Sequence, residues 1–439
     1  MKARKAIIAA VAAAISGIVA FSFAGCEWFD FSNKRNSANV SSELGYENGM
    51  GAWLASSVDS PRKSALELYE EALRSGRIDP SVTFMEFLKM LNDDSASLTT
   101  SLRASVALYV DRTYAGTGVI YSLKKGDDGL NAYVITNYHV TYNHGSISQN
   151  IDTYLYGDTF GNQSSALTAT YMGGSAIEDI AVLSVPIPEY RADYVQSITN
   201  HVGKRDSDDV NVGEKVYAIG NPYGAGISVV SGIVAVEAEY NWLESITGGE
   251  DVLTLTMRID APVNPGNSGG GLFDARGTFL GLVSGGSEQL VGDDSVPIGG
   301  FGYALPANRV VSVAQSIIDN LDNGEQVAFK GSLGELKILS SRGEFIEETN
   351  SIDIIETVQV TSVNERGPFG ADVEGKIVKR IEVIDGEGGK VVSADILRMH
   401  QIETILYNIR KGFTVTLFFD GGGSATAEYS ENYHFTQVA

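Results

Sequence analysis

Cysteine is nearly absent from this 439-residue chain. Cys26 is the only one, so no intramolecular disulfide can form and no zinc site can be built from several thiolates. Positive charge is also scarce: 32 Lys and Arg stand against 55 Asp and Glu, a formal net charge of −23. A field of that sign repels nucleic acid and anionic lipid surfaces, which excludes DNA and RNA as partners. The acid is spread over residues 27–30, 206–209, 244–251 and 344–353, as expected of a solvated surface rather than one acidic ligand site. What is present fits a folded protein, since 43 % hydrophobic and 20 % charged residues are close to average soluble usage. The length exceeds one ordinary domain and predicts two or three units.

The N-terminus explains the lone cysteine. Met1-Lys2-Ala3-Arg4-Lys5 is basic, residues 6–24 carry no charge, and Phe23-Ala24-Gly25-Cys26 resembles a bacterial lipobox, in which the cysteine is acylated and becomes the mature N-terminus. This predicts a signal peptide at 1–25 and lipidation at Cys26; the alternative is an uncleaved transmembrane anchor, which needs about 17–25 apolar residues. Either places the rest of the chain on the extracytoplasmic face of the cell membrane.

Residues 26–58, rich in Ser, Asn and Gly, read as a flexible tether. A helical hairpin is expected over 59–95, from Leu66, Tyr69 and Leu73 and then Phe84, Phe87, Leu88 and Leu91 at helical spacing. From about 103 to 305 the texture becomes short β-type runs between Gly, Asn and Asp turns, which suggests a sandwich or barrel. Asn308 is expected to cap a closing helix through Leu321. A smaller β-rich segment follows, with strands near 357–363 and 414–419, a helical run over 394–409, and Gly421-Gly422-Gly423 as the turn into a final strand.

Amide hydrolysis by a serine needs an exposed hydroxyl, a histidine to take its proton, a carboxylate to orient the histidine and donors for the oxyanion. Ser268 lies in Asn264-Pro265-Gly266-Asn267-Ser268-Gly269-Gly270, where small residues allow a tight turn that converges consecutive N–H groups. A phosphate loop is the other anion-binding reading of such a turn. No Gly-Lys-Ser/Thr follows and no helix pattern begins at Gly269, so it fits poorly. Of five histidines, His139 ends the β-type run Tyr133-Val134-Ile135-Thr136-Asn137-Tyr138-His139-Val140, whereas His144, His201 and His434 sit in polar or terminal surroundings and His400 in a helical run. Asp179 is one of many possible carboxylates, distinctive because it opens the apolar run Ile180-Ala181-Val182-Leu183. The order His139, Asp179, Ser268 carries more weight than any one of them.

Through these three motifs, and through Gly302-Tyr303-Ala304-Leu305-Pro306-Ala307-Asn308, the chain resembles the chymotrypsin-fold serine proteases and within them the HtrA/Deg family. The resemblance implies a mainly β fold: a chymotrypsin-like pair of six-stranded antiparallel β-barrels at 96–323, with the triad His139, Asp179 and Ser268 in the cleft and the N–H groups of Gly266 and Ser268 as oxyanion hole. It implies substrate contacts at Pro262 and along Val283-Ser284-Gly285-Gly286, with small or medium apolar P1 residues because Pro262 carries no charge. Gly271 stands where the family usually has proline.

Residues 328–430 are similar to a PDZ domain, an α+β unit that would follow the barrels, with Ser332, Leu333 and Gly334 as the loop receiving a peptide carboxylate. Glu335 replaces a usual apolar residue there, Gly375-Lys376 replaces Gly-Asp, and residues 385–390 add length. The family implies no metal or organic cofactor. It also implies unfolded or damaged protein substrates and peptide C-termini as partners in protein quality control, and a homotrimer, although the helical pair at 60–92 is not the usual trimerising element. A regulatory protease of narrow specificity and a non-catalytic PDZ scaffold or chaperone are the alternative readings.

Overall fold

The computed structural model describes residues 94–439 apart from 127–128, 159–164, 197–204, 292–293 and 347–350, with a few positions between 69 and 83. The signal peptide, Cys26, the tether, most of the helical hairpin and His201 therefore lie outside the described residues. Among the described residues no helix is long and apolar enough to cross a membrane.

After helix α1 (Asp94–Ala104), the first strands are β1 (Ser105–Val110), β2 (Tyr114–Gly126) and β3 (Gly129–Thr136). A single-turn helix α2 (Tyr138–Thr141) leads to the short pair β4 (Tyr142–Asn143) and β5 (Ser146–Ile147), then β6 (Ile151–Leu155), β7 (Leu167–Ser175) and β8 (Ile180–Ile187). Strands β1-β2-β3-β8-β7-β6 close into an antiparallel barrel. Its interior is filled by Val106, Leu108, Ile120, Val134, Ile151 and Leu183, all within 1 % of full burial. Each such side chain contributes about 1.5–3 kcal/mol of transfer free energy, so closure of the sheet is driven by apolar residues facing one another across it.

Helix α3 (Glu189–Gln196) leads toward a second closed barrel, ordered β10-β11-β14-β13-β12-β9. Its strands are β9 (Lys215–Gly220), β10 (Ser228–Leu243), β11 (Val252–Ile259), β12 (Gly271–Asp274), β13 (Phe279–Val291) and β14 (Asp294–Pro306). Val216, Met257, Leu272, Leu280 and Val283 fill it. Helix α4 (Ala307–Asn320) then packs Val310, Val313, Ala314 and Ile317 against β7, β8 and β13, bridging the barrels.

Asn308 does not cap α4. Pro306 occupies the N-cap, and Asn308, inside the first turn, donates through Nδ2 to Asp206 Oδ1 at 2.6 Å. Proline pre-set in the extended region can begin the helix, which releases the asparagine for a tertiary bond.

The C-terminal unit comprises β15 (Ala328–Gly331), β16 (Gly334–Ile346), β17 (Ser351–Val363), β18 (Val378–Ile384), β19 (Lys390–Asp395), helix α5 (Met399–Leu406), β20 (Phe413–Phe419), β21 (Ser424–Tyr429) and β22 (Phe435–Val438). The expected helical run from 394 is corrected here: Ala394 and Asp395 end β19, paired with β18 at Ile381 and Arg380, and the helix begins only at Met399. Pairing with the preceding strand across the turn at 385–389 overrides local helical periodicity. The turn at Gly421-Gly422-Gly423 joins β20 to β21, but the last strand is β22, which returns to pair with β15.

That return has a consequence for packing. Ala328, Tyr407 and Val438 share one buried cluster with Ile180, Val182, Phe273 and the apolar face of α4, so the C-terminal unit and the barrels are joined through a common core.

Candidate active site

Each expected member of the triad lies in a connection between barrel strands. His139 is on α2 rather than at the end of a strand, because β3 stops at Thr136 and Asn137 turns the chain from extended backbone into one helical turn. Asp179 immediately precedes β8, and Ser268 lies in the loop between β11 and β12.

Asp179 is bound to the imidazole in two ways. Its carboxylate oxygens lie 3.0 and 2.9 Å from His139 Nδ1, and Oδ1 also accepts the His139 backbone N–H at 3.0 Å. With Nδ1 facing a carboxylate, Nε2 is left as the nitrogen able to accept a proton, the tautomer a general base needs. Burial disfavours the imidazolium, yet the Asp179 charge and its hydrogen bond outweigh that, and the His139 pKa is raised above its ordinary value.

The backbone of Asp179 is unusual. Its φ of 51° lies in the left-handed region, which costs a non-glycine residue roughly 1–3 kcal/mol and persists only where the surroundings over-determine it. Asn137, fully buried, supplies part of that constraint: its Nδ2 donates to the Asp179 carbonyl at 2.9 Å while its Oδ1 accepts the Gly269 N–H at 2.6 Å. One side chain thus ties the acid to the serine loop.

Ser268 Oγ donates to the Ser284 carbonyl at 3.1 Å, and Ser284 Oγ donates to Asp179 Oδ2 at 2.8 Å. Among the described residues Ser268 and His139 share no hydrogen bond. Catalytic hydrogen bonds are often loose before substrate arrives.

The loop around Ser268 sorts its own donors. Asn267 N–H bonds to Asn264 O at 3.0 Å, Gly270 N–H to Asn267 O at 2.9 Å, and Gly269 N–H to Val283 O at 2.8 Å. The N–H groups of Gly266 and Ser268 meet no acceptor among the described residues. Their peptide planes are nevertheless held, because the Pro265 carbonyl accepts from Tyr223 N–H at 2.7 Å and the Asn267 carbonyl from Gly270. In a trans peptide the N–H points opposite its carbonyl, so two pinned carbonyls leave two fixed, unused donors.

Glycine is required at 266, where φ is 97° and a Cβ would meet the Asn221 carbonyl oxygen at 2.2 Å. At Gly271 the reason is packing. A Cβ there would come within 2.3 Å of the Phe273 ring, which is fully buried, so this chain fills with an aromatic the space that a proline at 271 would need.

The expected substrate residues divide. Val283 is buried in the second barrel, with its N–H and carbonyl both bonded to the serine loop, so it supports that loop rather than offering a free edge. Ser284 touches both Ser268 and Asp179. A Cβ at Gly285 would meet nothing within 4 Å, so this residue faces open space; Gly286 pairs with Gly302, and Pro262 is exposed. In the C-terminal unit Ser332 donates its N–H to His434 O at 2.8 Å, which leaves the N–H groups of Leu333 and Gly334 as the candidates there.

The contacts of Ser284 and Asn137 with the triad were not foreseen from sequence, since neither residue is near Asp179 along the chain. The other described histidines lie elsewhere: His144 in a turn at φ 51°, His434 near β22, and His400 buried on α5, where burial pushes its pKa down to about 3.

Residues 116–282 match the family model described as Trypsin-like peptidase domain. Serine protease Do-like HtrA of Bacillus subtilis (strain 168) is 28 % identical over 302 residues, covering 65 % of this chain and 61 % of that protein. Periplasmic pH-dependent serine endoprotease DegQ of Escherichia coli (strain K12) is 31 % identical over 204 residues, covering 46 % of this chain and 37 % of that protein. A solved structure, HtrA-type protease AlgW with tripeptide, overlays with a TM-score of 0.45 at 23 % identity, covering 76 % of this chain and 96 % of that one. The chain spans less than two thirds of the length of either curated relative.

A mainly β trypsin-like peptidase fold is therefore the class to which barrels and cleft belong. Within it, the chain is similar over part of its length to HtrA-type serine proteases.

Proposed function

We propose that the chain is an extracytoplasmic serine endopeptidase that transfers an acyl group from a peptide bond to water. Ser268 Oγ attacks the scissile carbonyl carbon as His139 Nε2 takes its proton. The oxyanion is received by the Gly266 and Ser268 N–H groups, and the imidazolium returns the proton to the leaving amine as the C–N bond breaks. Water then repeats the sequence on the acyl-enzyme, with Asp179 holding the tautomer throughout. The observation that carries this reading is the joint geometry of the Asp179–His139 pair, Ser284 linking Asp179 to Ser268, and two pinned N–H groups without acceptors. No metal or organic cofactor enters any step.

The test is labelling with a fluorophosphonate. Wild type is expected to be labelled and Ser268→Ala not; absence of label in wild type, also with peptides added, would favour the non-catalytic scaffold reading. The primary pocket, with uncharged Pro262 before it and Gly285 on its open wall, is proposed to take small or medium apolar P1 residues. A peptide library cleaved mainly after Arg or Lys would refute that.

The C-terminal unit is proposed to be a PDZ-like domain at 328–430. It presents a groove of about 510 Å³ between the start of β16, the end of β17 and α5, lined by Leu333, Leu336, Val363, Met399 and Leu406, with Lys330 at one side. A peptide C-terminus would add along β16 with its carboxylate on the Leu333 and Gly334 N–H groups. Substrates are proposed to be unfolded or damaged proteins, as the family relation suggests; digestion of unfolded casein separates this from a narrow regulatory role. Lipid anchoring through Cys26, the tether and helical hairpin at 26–58 and 59–95, and a homotrimer belong to the same reading.

A further inference from the structure

Beside Asp179 lies a buried polar cluster that the mechanism above does not use. Glu178 is 8 % exposed. Its carboxylate oxygens lie 3.0 and 2.9 Å from Arg309 Nη1, and Oε1 accepts the Tyr407 hydroxyl at 2.8 Å. Arg309, on α4 and 4 % exposed, donates through Nε to Thr404 Oγ1 at 3.0 Å and through Nη2 to Glu403 Oε2 at 3.4 Å, both on α5. Its guanidinium lies 5.7 Å from the Tyr407 ring centroid, and Lys330 lies 5.6 Å from the same ring. Tyr240 of β10 also donates to Glu403. Two carboxylates and two cations are thus gathered where helices of the protease and C-terminal units meet.

The cluster matters because only one peptide bond separates Glu178 from Asp179. The left-handed backbone of Asp179 must be restrained on both sides. Asn137 grips its carbonyl on one side. On the other, the chain is held by Ser175 Oγ, which accepts the Glu178 N–H at 3.2 Å, and by the Glu178 carboxylate in its grip of Arg309 and Tyr407. A Glu178 side chain free to swing would remove one of the restraints on the Glu178–Asp179 peptide, and so loosen the carboxylate that faces His139.

We propose that Glu178 is a positioning residue for Asp179, and that Tyr407, from the C-terminal unit, completes the catalytic centre by holding Glu178 against Arg309. Residues outside both barrels are then needed for the full rate. The proposal rests on the triad reading above.

The experiment uses the full chain and compares Tyr407→Phe, Glu178→Gln and Asn408→Ala with wild type. Asn408 Nδ2 donates to Ser312 Oγ at 2.8 Å, so its loss loosens the same interface without touching Glu178. Wild type serves as the control for the triad reading, since failure of wild type to hydrolyse peptide or take the fluorophosphonate sinks that reading and not this one alone. Expected results are a kcat lower by roughly tenfold in Tyr407→Phe and Glu178→Gln, because small misplacement of a catalytic group is costly, with KM unchanged. The acid limb of kcat/KM against pH should also move in those two variants, and Asn408→Ala should alter thermal stability only. Wild-type kcat and pH profile in Tyr407→Phe and Glu178→Gln, or an equal loss of kcat in Asn408→Ala, would overturn the proposal. Tyr407→Phe keeps the ring in the shared core, so it remains informative if Glu178→Gln fails to fold.

Discussion

Asp179→Asn is expected to lower kcat for peptide hydrolysis by roughly 10⁴-fold near neutral pH, with KM little changed. An asparagine can turn its amide NH₂ toward His139 Nδ1, which favours the tautomer carrying its proton on Nε2, the nitrogen proposed to accept one from Ser268. With its carbonyl oxygen kept on the His139 N–H, the amide NH₂ falls at the Oδ2 position, which then no longer accepts from Ser284 Oγ.

The pH dependence gives an independent sign. In the wild type, burial pulls the His139 pKa down but Asp179 pulls it further up, so it stands above its ordinary value. Without the charge, burial acts alone. The acid limb of kcat/KM, which follows loss of neutral imidazole, should therefore move to lower pH in the variant even as the plateau drops.

Stability moves the other way along the pH axis. A raised folded-state pKa means that the pair's contribution is complete below the unfolded histidine value of about 6.5 and is lost as pH rises through the folded value. The difference in Tm between wild type and Asp179→Asn should thus be larger at weakly acid pH than at pH 9. An acid limb that stays in place would argue that Asp179 does not set the charge of His139.

Arg309→Met carries the second large expectation, a loss of about 3–5 kcal/mol in folding stability. Burial alone would push the Glu178 carboxyl up, yet the Arg309 charge and the Tyr407 hydroxyl hold it below the usual carboxylate value. Removing the guanidinium strands a buried acid, takes the Arg309 donor from Thr404 Oγ1 and leaves Glu403 with the Tyr240 hydroxyl. Because a depressed pKa contributes stability above the unfolded value that is lost as pH falls through the folded one, the defect should shrink on acidification, when Glu178 can be buried neutral. Urea denaturation at pH 7 and pH 4 measures this, because the window opens only below the ordinary carboxylate value. The double variant Arg309→Met with Glu178→Leu should recover much of the loss, since an apolar pair of similar volume removes the unpaired charge. A single variant as stable as wild type would mean that the cluster is solvated in solution.

The wider arrangement gives these residues an architectural meaning. Tyr407 is 1 % exposed within a cluster that also holds Ile180 and Val182 of β8. The strand led by Asp179 is therefore packed on one side by its own barrel and on the other by the C-terminal unit. A polar cluster with a common apolar core around it resists small shifts, because close-packed interiors transmit strain rather than absorb it.

Much of this protein is legible without coordinates because it is written locally. The glycines around Ser268 report a tight turn, the apolar run after Asp179 a buried strand, and the alternation of short β-type runs with Gly and Asn turns a mainly β architecture. Where local pattern and tertiary pairing disagreed, tertiary pairing prevailed: Ala394 joined a strand because β18 lay beside it, and Asn308 left its capping role because Asp206 was in reach. His139 and Ser268 were also readable as residue types in suggestive settings, joined along the chain by the order of three motifs and the resemblance they carry, not by any contact the sequence states.

By itself the sequence determined the turn chemistry, the order of the three candidate residues, the acidic surface and the β-rich texture, all of which depend on neighbours a few positions apart. Only the tertiary structure decided that Ser284 would bond Asp179, that Asn137 would tie Asp179 to Gly269, and that Tyr407 would reach Glu178 across 229 positions. Those contacts exist only once both barrels have closed and the C-terminal unit has docked on α4. Hydrogen bonds act over about 3 Å of space, and position along the chain does not encode that distance until the core has packed.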